Sequence, residues 1–136
     1  MEQDNTVLLS KKMYSKMINK CRRGLPNEAC GLLSGRGNRC LTVWPMKNIE
    51  PTPFSFAMDI NQQEKTLKKM KDINEDFIGI YHSHPNGIAV PSEDDIKHAV
   101  YPEAFYFVIS ISHKKEDLRC YKIKEGKVKN VEILYY

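Results

Sequence analysis

Several features that would classify a short chain at once are missing from this one. Its four cysteines, Cys21, Cys30, Cys40 and Cys120, contain no C-x-x-C pair. Neither a cysteine zinc site nor a disulfide framework is indicated, and reduced thiols are the expectation. No apolar run approaches the ~20 residues of a membrane span. The start, Met1-Glu2-Gln3-Asp4-Asn5, is acidic, and the first apolar stretch is only Val7-Leu8-Leu9, which does not suit a signal peptide. Both observations lead us to expect a cytoplasmic protein with no membrane partner. An excess of one charge is missing too. Lys and Arg number 21 against 17 Asp and Glu, a formal +4, too mild to argue for a nucleic-acid partner. There is no internal repeat and no low-complexity tract.

What is present suits a single domain over residues 1–136. Leu, Ile, Val and Phe supply 33 of the 136 residues, enough to bury one core. A short strand over residues 6–9 leads to Ser10, a helix N-cap, after which Met13, Met17, Ile18 and Cys21 recur at helical spacing until Gly24 and Pro26. Residues 28–34 and 39–44 read as a hairpin about the turn Gly35-Arg36-Gly37-Asn38. Pro45, Pro51 and Pro53 punctuate a loop that closes at a short strand over 54–57. Asp59-Ile60-Asn61-Gln62 has the form of a capping box. The helix it starts should bury Ile60, Leu67, Met70 and Ile73 and leave its lysines in water. A strand over 77–84, a short helix from Ser92, a buried strand over 105–112 and a closing hairpin about Glu125-Gly126 complete the chain. Strands and helices do not alternate regularly, so the fold class expected is α/β in the broad (α+β) sense: a mixed β-sheet flanked by helices.

The chemistry gathers in YHSHPNGIAVPSEDD, residues 81–95. Side chains alternate along a strand, so His82 and His84 share a face while Ser83 takes the other. Their Cα atoms should lie about 6.5–7 Å apart, close enough for both rings to reach one cation at ~2.0–2.1 Å. Pro85-Asn86-Gly87 then breaks the strand and leaves the rings at a sheet end. Asp95, ten residues further on, can be brought back by a loop of that length. A histidine pair alone is weak evidence, and Asp95 has a sufficient structural role, because Ser92-Glu93-Asp94-Asp95 fits a capping box. The two roles are compatible: a cap can aim a ligand. His98 and His113 read as ordinary surface or satisfied core residues.

Two histidines and a carboxylate also serve non-haem iron, so ligand type leaves the metal open. Other frameworks are excluded. A (β/α)₈ hydrolase needs ~250 residues, the zinc deaminases need P-C-x-x-C, and no H-E-x-x-H helix is present. What remains is three ligands with a fourth position open, the catalytic pattern of zinc sites.

His82-Ser83-His84-Pro85 followed by Ser92-x-x-Asp95 resembles the JAMM signature of the MPN-plus (Mov34/MPN/PAD-1) zinc metallopeptidases. The upstream Glu28-Ala29-Cys30-Gly31-Leu32-Leu33-Ser34-Gly35 resembles that family's E-x-C-G-L-L-x-G strand. The resemblance extends from Ser10 to about Ser112 and implies the JAMM/MPN fold, akin to the cytidine-deaminase-like architecture. It implies Zn2+ on His82, His84 and Asp95, Glu28 as general base and acid, and Ser92 as a donor to the reacting carbonyl oxygen. Glu28 is assigned by this resemblance alone, since a lone glutamate after Pro26-Asn27 is otherwise an ordinary surface residue.

Small prokaryotic members of the family act on ubiquitin-like proteins ending in Gly-Gly. The expected partner is thus a ubiquitin-like sulfur-carrier protein, cleaved after its glycines to release a C-terminal extension or cysteine. The alternatives are a deubiquitinase- or desampylase-like isopeptidase, a non-catalytic MPN-type interaction module, and a zinc hydrolase of small amides. The segment 54–58 is expected to pair with the extended tail by strand addition. Members of the small bacterial type often carry Pro and Arg where this chain has Ile88 and Val90, a change that bears on substrate preference. The oligomeric state stays open, a homodimer included.

Overall fold

In the computed structural model, residues 5–136 are described; residues 1–4, most of the acidic start, lie outside. Seven strands and three helices follow in the order β1 (Thr6–Leu9), α1 (Lys11–Gly24), β2 (Cys30–Arg36), β3 (Arg39–Met46), α2 (Ile60–Asp72), β4 (Asp76–Pro85), α3 (Glu93–His98), β5 (Phe105–Ile111), β6 (Glu116–Lys124) and β7 (Lys127–Tyr135). The mixed sheet with helices on it is as expected; its closure is not. The strands run β1-β3-β2-β4-β5-β6-β7 and join into a barrel. β1 makes the closure, running parallel to β7 from Thr6↔Glu132 to Leu9↔Tyr135 and touching β3 at Leu8↔Arg39. Edge strands, which would otherwise invite pairing with other chains, are thereby removed.

Ser10 caps α1 as expected, its side chain accepting from Met13 N at 3.1 Å. The stripe Met13, Met17, Ile18 and Cys21 is buried. It packs with Val7, Leu9, Leu33, Val43, Tyr81, Phe107 and Ile109 in the main core. All four cysteines are free and buried. Burial pushes the thiols of Cys21, Cys30 and Cys40 up to about 12, so they behave as small apolar residues.

The opposite face of the sheet carries two smaller clusters. One joins Tyr106, Val108, Tyr121 and Ile123 to Ile96 and Ala99 at α3. The other joins Cys30, Leu32, Met46 and Met70 to Trp44, Phe56 and Met58 at α2. β4 runs between them, with Ile80 packed against both.

Four expectations need correction. α2 buries Thr66 and Met70, whereas Ile60, Leu67 and Ile73 are exposed: the helix touches the sheet along a narrow stripe, and only Met70 of the expected face lies on it. Asp59 does cap α2, accepting from Gln62 N at 2.9 Å, but the Gln62 side chain accepts from Lys47 N instead of returning to the cap. Residues 54–57 form no strand; Met58 makes one isolated bridge to Asn48. The hairpin is also offset, since β2 starts at Cys30 and β3 continues through Pro45 to Met46.

Candidate metal centre

β4 lies antiparallel to β2, with Cys30↔His82 in register, and parallel to β5, with His82↔Val108. Strand alternation sends Tyr81 and Ser83 into the core and His82 and His84 outward. Pro85-Asn86-Gly87 ends the strand; Asn86 adopts φ 61°, a left-handed turn that asparagine tolerates better than most residues. The chain then returns as loop 86–91, which is pinned through three successive carbonyls. Ser110 donates to Gly87 O, His84 Nδ1 to Ile88 O at 2.9 Å and Tyr121 to Ala89 O at 2.5 Å.

α3 opens with a full capping box: Asp95 N donates to Ser92 Oγ at 3.0 Å and Ser92 N to Asp95 Oδ2 at 2.9 Å. The box holds the Asp95 carboxylate toward the histidines. His82 Nε2, His84 Nε2 and Asp95 Oδ2 form a triangle with every side 3.0 Å. These three are the one group of described His, Cys, Asp and Glu side chains able to share a metal ion.

The donor set fits a zinc ion. Tetrahedral zinc with ~2.0–2.1 Å bonds spaces its ligands about 3.3 Å apart, close to the observed sides. With His84 Nδ1 committed to Ile88 O, it is Nε2 that would give up its proton to a metal, the usual way an outer hydrogen bond prepares a histidine ligand. Burial alone would raise the Asp95 pKa, yet the hydrogen bonds from His82 and His84 outweigh it and hold the carboxyl well below the usual range. Burial pushes His84 down, but Asp95 and the Ile88 carbonyl outweigh it and the net shift is upward. The site is therefore built around one negative oxygen and two imidazoles.

Glu28 stands beside the triangle. It precedes β2 by two residues, on the side of Cys30 that continues toward His84. Its side chain is only 6% exposed, and Oε1 is buried with no hydrogen-bond partner. Burial raises its pKa from 4.5 to about 7; His84 lowers it somewhat and the Asp95 charge raises it again. A buried, unpartnered carboxyl poised near neutrality is suited to accepting and returning a proton.

A cleft of about 400 Å³ opens alongside, with His82 and Asp95 on its wall, Phe56 and Met58 on one flank and Ile80 and Val108 in its floor. Phe56 stacks on the His82 ring, centroids 4.8 Å apart and planes at 23°. His98 is exposed and contributes to the cleft's rim, outside the triangle. Sequence reasoning passed over Phe56, Tyr121, Ser110 and Ser83. The first three carry no spacing signal, because they reach the site from three separate elements. Ser83 had one: it sits inward between the histidines, where its Oγ accepts from Ala29 N at 2.8 Å.

Residues 10–124 match the family described as prokaryotic homologs of the JAB domain. The CysO-cysteine peptidase of Mycobacterium tuberculosis is 36% identical over 119 residues, 85% of this chain and 82% of that protein. The Probable TtuB-protein conjugate cleaving protease of Thermus thermophilus is 33% identical over 76% of this chain and 67% of its own. Among solved structures, a protein from Desulfitobacterium hafniense superposes with TM-score 0.86 at 34% identity, covering 96% of this chain and 92% of that one. A JAB1/MPN domain protein from Archaeoglobus fulgidus shares the fold, with TM-score 0.63 at 17% identity over 96% and 98% of the two chains. With most of its length matched and its relatives named as peptidases, this chain belongs to the family of prokaryotic JAB-domain proteins.

Proposed function

We propose that the protein is a zinc-dependent metallopeptidase that cleaves after the C-terminal Gly-Gly of a ubiquitin-like sulfur-carrier protein, releasing a C-terminal extension or cysteine. One observation carries this: the 3.0 Å triangle of His82, His84 and Asp95 with the unpartnered carboxyl oxygen of Glu28 beside it. His82, His84 and Asp95 hold the zinc. When bound, zinc lowers the pKa of water from 15.7 to about 7 and polarises a carbonyl.

The remaining work falls to the chain's own residues. Glu28 Oε takes the proton of the attacking water and returns it to the leaving nitrogen, a task matched to a carboxyl poised near 7. Ser92 Oγ accepts from Asp95 N, so its own proton is free to be donated to the carbonyl oxygen as charge develops there; such a donor is worth ~2.7–4 kcal/mol. Phe56, stacked on His82, excludes water from that side and keeps the ring from turning. Strand addition would have to use Phe56, because the amides of Phe54 and Ala57 already donate to Thr52 Oγ1 and Asn48 Oδ1; a Phe56→Pro variant with unchanged tail binding would refute it.

The substrate class rests on the named relatives, one acting on a CysO-cysteine adduct and another on TtuB-protein conjugates. The test is intact mass. The zinc-loaded protein is incubated with a carrier bearing a short extension or a cysteine adduct after Gly-Gly, with Glu28→Gln in parallel. We expect a mass loss that stops at Gly-Gly and is absent in the variant. If both linear substrates stay intact while an isopeptide-linked conjugate is cleaved, the enzyme is a deconjugating protease. No cleavage of any of them, with zinc bound, would refute the metallopeptidase reading.

A further inference from the structure

We infer that Asn48 is a positioning residue: it ties the backbone of Glu28 to the segment that carries Phe56, and so sets the general base and the wall over His82 as one unit. The inference rests on the metallopeptidase reading for what Glu28 does.

Glu28 lies just before β2, outside the ladder, so strand pairing does not fix it. Its peptide is held instead by the loop between β3 and α2. Glu28 N donates to Thr52 O at 2.8 Å, and Glu28 O accepts from Asn48 Nδ2 at 2.9 Å. The same amide nitrogen donates to Ser55 O at 3.2 Å. Asn48 Oδ1 accepts from Glu50 N at 2.9 Å and from Ala57 N at 3.1 Å. Two donors and two acceptor sites are the full capacity of an asparagine amide, and all four are used. Ile49 N to Ala57 O and the Asn48↔Met58 bridge close the loop base around this hub. Ala57 follows Phe56 directly, so the amide that fixes Glu28 also fixes the ring that stacks on His82.

Phe56 and Met58 pack on the Cys30, Leu32, Met46 and Met70 cluster, but the rest of the segment has little apolar support. Within 50–57 Phe54 is 87% exposed, and residues 51–58 have only part-buried or exposed side chains. Without its central amide, the segment has few contacts to keep its course. A base displaced by about 1 Å from a reacting water can lose ~10²-fold in rate. The zinc ligands stand on β4 and α3 and do not touch Asn48, so metal binding should be spared.

Two substitutions separate the parts. Asn48→Ala removes all four hydrogen bonds. Asn48→Asp keeps the acceptor for Glu50 and Ala57 but sets an anionic oxygen against the carbonyls of Glu28 and Ser55. In Asn48→Ala the Glu50 and Ala57 amides lose their acceptor, and the Glu28 amide, whose acceptor Thr52 O lies on the loosened loop, should follow, each exchanging about tenfold faster or more. In Asn48→Asp the Glu50 and Ala57 amides keep their acceptor and stay protected, while repulsion at the Glu28 and Ser55 carbonyls should still free the Glu28 amide from Thr52 O. In both, zinc affinity stays within about twofold, while kcat on the extended carrier falls about 10²-fold with KM little changed.

A protected Glu28 amide in Asn48→Ala overturns the inference, as does full kcat in either variant. Recovery of kcat in Asn48→Asp would show that loop integrity alone matters and would equally overturn it. Should the unsubstituted protein cleave no carrier, the metallopeptidase reading falls, and the exchange experiment alone decides whether Asn48 holds Glu28.

Discussion

Ser92→Ala offers a sharp test of how Asp95, the proposed third zinc ligand, is aimed. α3 has six residues and buries none of them. It is far below the ~12–15 residues at which a helix persists unaided, and its first turn depends on the capping box. Alanine removes the bond from Asp95 N to Ser92 Oγ and leaves the reciprocal one from Ser92 N to Asp95 Oδ2. Half of the box goes, costing about 1 kcal/mol, with 2 as the upper bound. Zinc binding requires the ordered turn, so most of that cost should appear in the metal affinity, a factor of about 5–30. Competition with a chromophoric zinc chelator reads this directly, with Asp95→Ala as the limit of full ligand loss and Ser92→Thr as the variant that retains the cap. Unchanged affinity in Ser92→Ala, or a loss in Ser92→Thr as large as in alanine, would refute the idea that the cap aims the ligand.

Other expectations follow from the same geometry. With zinc removed, the Glu28 carboxyl, raised from 4.5 to about 7, keeps a proton that the unfolded chain gives up. Stability should therefore fall by about 2–3 kcal/mol as pH rises from 4.5 to 7. Glu28→Gln lacks this loss, so its Tm relative to the parent should climb between about pH 5 and pH 8; a pH-independent difference would count against a buried neutral carboxyl. The same substitution should lower kcat by about 10²–10⁴-fold with zinc retained. Tyr81 is fully buried and its hydroxyl has no hydrogen-bond partner, so Tyr81→Phe should leave Tm unchanged or raised; a clear drop would reveal a missed partner. A Cβ on Gly31 would sit 2.2 Å from the Tyr81 ring, so Gly31→Ala should cost at least about 1–3 kcal/mol in thermal melts. On the proposed reading, chelation should abolish cleavage but leave the far-ultraviolet circular dichroism intact, because the main core lies on the opposite face of the sheet from His82 and His84.

Much of this architecture was legible locally. Ser10 and the Met13, Met17, Ile18, Cys21 stripe needed only helical periodicity and a cap. β4 needed only its apolar run, and H-x-H on a strand places both rings on one face by alternation alone. The reading failed where local pattern and tertiary packing part company. Ile60, Leu67 and Ile73 recur at helical spacing yet remain exposed, because α2 approaches the sheet along the Thr66–Met70 line. The expected strand at 54–57 does not form, and the amides of Phe54 and Ala57 go instead to Thr52 Oγ1 and Asn48 Oδ1.

The sequence by itself determined which residue types could form the centre and the order in which they come, because strand alternation and capping act over a few residues. It could not determine that Glu28, fifty-four positions before His82, lies beside the triangle, nor that its carboxyl is buried and near neutral. Those properties arise from β2 pairing with β4 and from the loop that Asn48 holds over the β2 entrance. Barrel closure was equally hidden, since it depends on a four-residue β1 finding β7 at the far end of the chain. Contacts of such sequence separation are selected by the packing of the whole sheet, and no short window of residues records them.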